Sequence, residues 1–247
     1  MRADWDALAQ PAEQISTGQW VGLPVEGWTG AAYPPRQALT GRHCRVEPLD
    51  VERHGAQLYD ALHQLAGGAN WTYLSHGPFS TLEDWLGWVR ANAGRDDPQF
   101  YAIIDARDDV AIGLCSYLRI APDDGCIEVG FLNFSPRLQR SRLASEAMYL
   151  MMRNAFELGY RRYEWKCDAQ NAPSVKAALR LGFTFEGLFR QARTNKGRNR
   201  DTAWFSILDH EWPQRRRALE LWLADANFDA QGRQLRSLSE FAAEAAA

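Results

Sequence analysis

The chain has 247 residues, 46% of them apolar, which suits one large globular domain or one domain with extensions. A net charge of −3 gives no argument for nucleic acid or an anionic membrane as partner, and no apolar run approaches membrane-spanning length. Four cysteines, Cys44, Cys115, Cys126 and Cys167, stand far apart without a CxxC pair, which points to reduced thiols in the cytoplasm and not to a disulfide framework or a zinc site.

The opening MRADWDALAQPAEQ carries acidic residues and no apolar segment of the signal-peptide kind. Residues 1–40 are rich in Gly, Pro and Trp and read as an arm laid over the core, pinned by Trp20 and Trp28. A main domain over 41–210 follows, and then a C-terminal helix and tail over 211–247. A first strand is expected over 42–47. Asp50 then caps a helix ending near Leu65, where Gly67-Gly68 breaks it. Residues 70–79, NWTYLSHGPF, form an aromatic, turn-rich loop, and Ser80 is placed to cap a helix through Val89 with Glu83 as the capping-box acid. Residues 99–105, 110–120 and 126–134 read as strands joined by the turns 106–109 and 122–125, the last strand stopping at Ser135-Pro136. Three strands so joined make an antiparallel meander.

Residues 143–158 have helical period, with Ala144, Met148, Met151, Ala155 and Leu158 on one face and Gly159 as a left-handed stop. A strand over 161–167 follows and should lie parallel to the 126–134 strand, because a helix crosses between them. Asn171 caps a short helix with Pro173 in its first turn and Gly182 at its end. Strands over 184–191 and 202–209 flank a basic loop, RTNKGRNR. A helix over 212–223 precedes a tail, weakly structured or docked through Leu235, Leu238 and Phe241. The order β-α-α-β-β-β-α-β-α-β-β implies an α/β fold: a mixed, mostly antiparallel sheet of six or seven strands, helices on both faces and a parallel pair at the centre. A helix start leaves N–H groups unpaired and carries partial positive charge. Residues 138–144, beside Arg137, Arg140 and Arg142, are therefore a candidate anion site, although a plain crossover helix with a solvated loop has the same spacing.

Three stretches carry a family resemblance: Ile127-Glu128-Val129-Gly130-Phe131; Gln139 with Ala144-Ser145-Glu146-Ala147; and Asn171-Ala172-Pro173-Ser174 with Leu181-Gly182-Phe183 and Glu186-Gly187. Residues 39–208 thereby resemble the GNAT superfamily of acetyl-CoA-dependent acyltransferases, and within it the group that acetylates the N-terminal alanine of ribosomal proteins. The resemblance implies a GNAT fold whose parallel pair splays to admit CoA, acetyl-CoA as cosubstrate, no metal, and direct attack by a primary amine in a ternary complex. It implies that Phe131, Leu132 and Asn133 pair with pantetheine, that Gln139, Arg140, Ser141, Arg142, Leu143 and Ala144 form the pyrophosphate loop, and that Asn171 holds the pantetheine amide. Glu128 would act as base through a water, Ser174 would lie near the leaving sulfur, and Trp71, Tyr73 and Phe79 would roof the acceptor pocket.

The sequence departs from the family at two points. The loop, Gln139-Arg140-Ser141-Arg142-Leu143-Ala144, has arginine in place of the usual glycines, so guanidinium groups would have to replace close backbone approach to phosphate. A tyrosine that often serves as the acid is replaced by Ala178. Other uses of the same residues stay open: Glu128 can pair with Arg119 or Lys166, Asn171 and Ser174 can be plain caps, and the aromatics can pack under the loop. A non-catalytic acyl-CoA- or protein-binding module and a small-amine (polyamine or drug) acetyltransferase are the alternative functions. The arm and tail could both support a homodimer.

Overall fold

The computed structural model describes residues 11–64 and 66–246; the first ten residues of the arm, the expected helix end at Leu65, and Ala247 lie outside them. In chain order the elements are β1 (Ala12–Gln14), β2 (Trp20–Gly22), β3 (Leu39–Thr40), β4 (Cys44–Pro48), α1 (Val51–Leu62), α2 (Leu82–Ala93), β5 (Gln99–Asp105), β6 (Val110–Ala121) and β7 (Cys126–Phe134). There follow α3 (Arg142–Glu157), β8 (Arg162–Asp168), α4 (Ala172–Arg180), β9 (Thr184–Asn195), β10 (Arg198–Leu208), α5 (Trp212–Leu223) and α6 (Leu238–Ala246). The arm contributes the small hairpin β1–β2, and the other strands form one eight-stranded sheet in the order β3-β4-β5-β6-β7-β8-β10-β9. Among the described strands only β7 and β8 pair in parallel, as the crossover through α3 between them requires.

Alternation along the strands divides the interior into two layers. On one face Ile127, Val129, Tyr163 and Trp165 pack with Met148 and Met151 of α3, Ala178 of α4, Trp212, Leu219 and Trp222 of α5, and Phe241 of α6. On the other, Phe100, Ala102, Ile104 and Leu114 meet Leu58 and Leu62 of α1 and Trp85 and Val89 of α2. Each such large apolar side chain contributes about 1.5–3 kcal/mol on burial. Because α1 and α2 pack against β5 and β6, the β7–β8–β10 half of their face has no α-helix above it among the described residues.

Caps set the helix starts. Asp50 accepts from the Arg53 amide at 2.8 Å, and Ser141 from Ala144 at 3.1 Å. The α2 cap is Thr81, not Ser80, and its reciprocal partner is Asp84, not Glu83. The box signature fits at both offsets, and Glu83 instead pairs with Arg90. The basic loop expected over 193–200 is largely strand. β9 and β10 continue through it and turn at Lys196-Gly197, whose φ values of 49° and 75° are those of a two-residue hairpin turn.

Trp28 pins the arm: its Nε1 donates to Asp123 O at 2.9 Å, and its ring lies where a Cβ on Gly125 would sit. Trp20 does not; it is 70% exposed on the β1–β2 hairpin. In the tail Leu238 and Phe241 are buried as expected, whereas Leu235 is exposed.

Candidate acyl-transfer site

The β7–β8 ladder runs from Cys126↔Arg162 to Val129↔Trp165 and stops there. Beyond it, β7 carries an extra residue relative to β6, and Phe131 adopts φ of 50°. A bulge of this kind redirects a strand at the expense of local pairing. Phe131, Leu132 and Asn133 thus lie past the last bridge, and the side of their backbone that would face β8 is unpaired. The fork opens beside the first turn of α3, where the amides of Arg142 and Leu143 have no carbonyl one turn earlier to bond.

The loop before α3 spends most of its polar groups on itself. Gln139 Nε2 donates to Phe134 O at 2.8 Å, and Ser141 donates to Leu138 O at 2.6 Å while capping the helix. The expected set of three phosphate-facing arginines is not assembled. Arg137 is taken by Asp105 and Asp108. Burial pushes the Asp105 carboxyl up, but hydrogen bonds from Arg107 and then from Arg137 outweigh it and hold the carboxyl well below its usual range. Arg142 bonds Asp225 at 2.7 Å and Leu223 O and stacks on Phe228, 4.1 Å from the ring centre. Arg140 alone of the three is exposed and without a protein partner among the described residues. Its φ of 56° is one that glycine adopts more readily. Of the groups implied for CoA, the helix-start amides, Arg140 and the free β7 edge fit an anionic thioester; the guanidinium of Arg142 points into the tail instead.

Across the fork, Asn171 caps α4 through Oδ1, leaving its Nδ2 without a protein partner, so capping and holding an amide carbonyl are compatible. Ser174 Oγ accepts from Trp165 Nε1 at 3.0 Å. Ala178 is fully buried, which leaves no room there for a protonated side chain.

On the open half of the sheet a chain of charges crosses four strands. Arg119 Nε donates to Glu128 at 2.7 Å. Lys166 lies 3.1 Å from Glu128 and 2.5 Å from Glu164, and Arg162 binds Glu164 and Glu186 at 2.7 Å each. Glu128 is 3% exposed; burial raises its pKa, with Lys166 and Arg119 pulling the other way. Burial also pushes Glu164 up, but there Lys166 and Arg162 win and hold it low. The sequence alternatives for Glu128 therefore coincide: it is ion-paired with both Arg119 and Lys166, at the rim of the fork.

The loop between α1 and α2 arches over this floor. Lys196 donates to Trp71 O at 2.7 Å, and Tyr73 donates to Gln170 O at 3.0 Å, tying the loop to the β9–β10 hairpin and to the start of α4. Trp71 is fully buried, in an aromatic cluster with Phe79 and Trp85, so its ring has no face left for a ligand. Phe79 is half-buried in the same cluster, and Tyr73 serves as the strap.

Sequence reasoning passed over Asn70, whose Nδ2 donates to Asn133 Oδ1 at 2.7 Å and so ties the roof to the free strand. It also passed over His76, stacked on Trp88 and 5.6 Å from Phe131, which burial keeps neutral with a pKa lowered to about 4. Glu146 accepts the amides of Arg42, His43 and Cys44 at 2.7–2.9 Å and fixes the first turn of α3 to the start of β4. The period-two pattern Arg162, Glu164, Lys166 was the one signal that pointed to the polar floor.

A sheet that forks at a single parallel pair, with a helix start at the fork and a roofed polar floor behind it, is the architecture of an acyl-transfer cleft. Residues 52–184 match the acetyltransferase (GNAT) domain, and the chain belongs to that family as an acetyltransferase. A crystal structure of a GCN5-related N-acetyltransferase from Brucella melitensis is 42% identical, with a TM-score of 0.87 over 89% of this chain and 100% of that one. The uncharacterized N-acetyltransferase p20 of Bacillus licheniformis is 33% identical over 144 residues, 57% of this chain and 80% of that protein. The ribosomal-protein-serine acetyltransferase of Escherichia coli (strain K12) is 32% identical over 87 residues, 35% of this chain and 48% of that protein. The resemblance to ribosomal-protein acetyltransferases thus stands, with a relative named for serine where the sequence motifs suggested the alanine group. No helix among the described residues is long and apolar enough to cross a membrane.

Proposed function

We propose that the protein transfers acetyl from acetyl-CoA to a primary amine by direct attack in a ternary complex. The observation that carries this reading is the end of the β7–β8 ladder at Val129↔Trp165, beside a helix start and under a roofed polar floor. Pantetheine would pair along Phe131, Leu132 and Asn133 and meet Asn171 from the other side, with the pyrophosphate at the amides of Arg142 and Leu143 and at Arg140. An unpaired strand amide would stabilise the oxyanion formed when the amine adds to the thioester carbon. Glu128 would take the amine proton through a water, and the carbon–sulfur bond would break to release CoA thiolate. The thiolate can leave without a strong acid, since a thiol ionises at about pH 8.5, far below an alcohol or a neutral amine; Ser174, near the exit of the sulfur, orients it and does not supply the proton.

The acceptor enters under the loop strapped by Tyr73, which suits an extended chain end or a small amine. Calorimetric titration with acetyl-CoA and thiol release with an amine panel test this reading. Acetyl-CoA binding that weakens in Arg140→Ala, together with amine-dependent thiol release, is the expected result. No binding heat at millimolar acetyl-CoA would refute it.

A further inference from the structure

Three donors on β10 have no protein partner although they face the cleft. Arg200, Thr202 and Trp204 occupy alternate positions, so they leave the strand on the same face, about 7 Å apart. Thr202 stands opposite Asp168 on β8 and Trp204 opposite Lys166, which places the row on the face of the charge chain, next to the open part of the fork. Thr202 is 5% exposed with Oγ1 unpartnered, Trp204 Nε1 is buried without an acceptor, and so is Arg200 Nε. The Trp204 ring is already used, lying 3.4 Å over Lys166 Nζ, which fixes the direction of its N–H.

Arg200 is the unusual member. It is half-buried, burial lowers its pKa, and no carboxylate among the described residues forms an ion pair with it; Asp168 and Glu128 act on it only from a distance. Its cross-strand partner is Arg193, another cation without an acid. Like charges directly opposite one another destabilise a sheet pair, and a cation withdrawn from water without a counter-ion costs more still. The neighbouring hairpin cation, Lys196, is occupied by Trp71 O. A guanidinium, a hydroxyl and an indole N–H in one row, with no acceptor supplied by the chain, match an oxygen-rich anion.

We propose that Arg200, with Thr202 and Trp204, binds a carboxylate carried by the acceptor amine, so that the preferred substrate is an amine bearing an acid group. The acid is either that of a small amino acid or an acidic side chain near a peptide N-terminus. This rests on the acetyl-transfer reading of the same cleft.

Two matched pairs test it: β-alanine against β-alaninamide, and the peptide amide Ser-Glu-Ala against Ser-Gln-Ala. Thiol release from acetyl-CoA gives kcat/KM for each, and calorimetry gives the affinity for each N-acetylated product. In the wild type the carboxylate member of at least one pair is favoured about tenfold or more in both measurements. Arg200→Gln brings that ratio to about one, Arg200→Lys restores part of it, and Arg198→Gln, at an exposed hairpin position, leaves it as in the wild type. Thr202→Val lowers the ratio severalfold and serves in its own right should Arg200→Gln fold poorly. Preference in the small pair or in the peptide pair identifies the source of the carboxylate. Ratios near one in both wild-type pairs, or a ratio untouched by Arg200→Gln and Thr202→Val, overturn the proposal. The calorimetric arm needs no turnover: acid binding through Arg200 without thiol release keeps the site and retires the transfer reading, and equal transfer to both members of each pair does the reverse.

Discussion

Replacing Glu128 by Gln separates two jobs that one buried carboxylate can hold. Burial raises the proton affinity of Glu128 in spite of Lys166 and Arg119, so its surroundings on balance disfavour the charged form. A neutral isostere therefore gives up little folding free energy. Lys166 keeps Glu164 at 2.5 Å, and Arg119, half exposed, keeps solvent. The expected loss is about 1–2 kcal/mol, or roughly 2–8 °C in Tm for a chain of this length. The chemical loss is larger, because an amide cannot accept the proton and a positioned base contributes about 10²- to 10⁴-fold. At neutral pH and saturating acetyl-CoA and amine, kcat should fall at least about a hundredfold. Thiol release followed from about pH 5 to pH 9 adds the sign: the base works ionised, so wild-type kcat drops as pH falls through the raised pKa, and the variant lacks that limb. A kcat equal to the wild type, alongside a Tm lower by a few degrees, would refute the reasoning and leave Glu128 as a member of an ion-pair chain.

Arg140→Ala should raise the KM for acetyl-CoA about fivefold or more at unchanged Tm, since this exposed arginine makes no protein contact to lose; an unchanged KM removes it from the phosphate site. Glu146→Ala strips three amides of their acceptor and should cost about 3 kcal/mol, read as a Tm lower by roughly 6–12 °C, whereas a melt like the wild type's would show those amides satisfied otherwise. Asp105 has a depressed pKa, so its stabilising effect is present above the unfolded value near 3.9 and is lost as pH falls towards the folded one. The Tm gap between wild type and Asp105→Asn should accordingly be widest at neutral pH and close below about pH 4; a gap constant with pH contradicts the assignment. Asp225→Ala should free the guanidinium of Arg142 and change the KM for acetyl-CoA, and an identical KM would show that this guanidinium never reaches the mouth of the fork.

The fork was legible in the sequence because a helix between two strands permits little else: β7 and β8 had to be parallel neighbours, and the stop signals on both were local. The polar floor was half legible, since Arg162, Glu164 and Lys166 alternate with Tyr163, Trp165 and Cys167 in an unbroken period of two. What a run of arginines faces was not legible. Arg137 finds Asp105 and Asp108, and Arg142 finds Asp225, at separations of 29 to 83 residues, and no local pattern announces such partners. The aromatic roof failed for a related reason. Trp71 is buried, Trp28 half-buried and Trp20 exposed according to the path each loop takes over the core, which spacing and propensity leave free. The basic hairpin reads as a loop because charge masks alternation when both faces of a strand are exposed, as they are along β9.

The same long-range contacts explain how an arginine can occupy the start of α3 where the resemblance calls for glycine. The first turn of that helix needs its amides bare, and a side chain there obstructs only if it lies across them. Asp225, Leu223 O and the Phe228 ring draw the Arg142 guanidinium away into the tail, while Asp225 also binds Arg42 and approaches His43 at the β3–β4 turn that Glu146 fastens to α3. The tail is no loose appendage in this respect, since Trp222 of α5 and Leu238 and Phe241 of α6 lie in the same buried cluster as α3. On the proposed reading of the cleft, arginine in the loop and the segment that receives it make one device: the C-terminal helices hold the side chain of Arg142 aside and so leave the backbone at the start of α3 open to a phosphate.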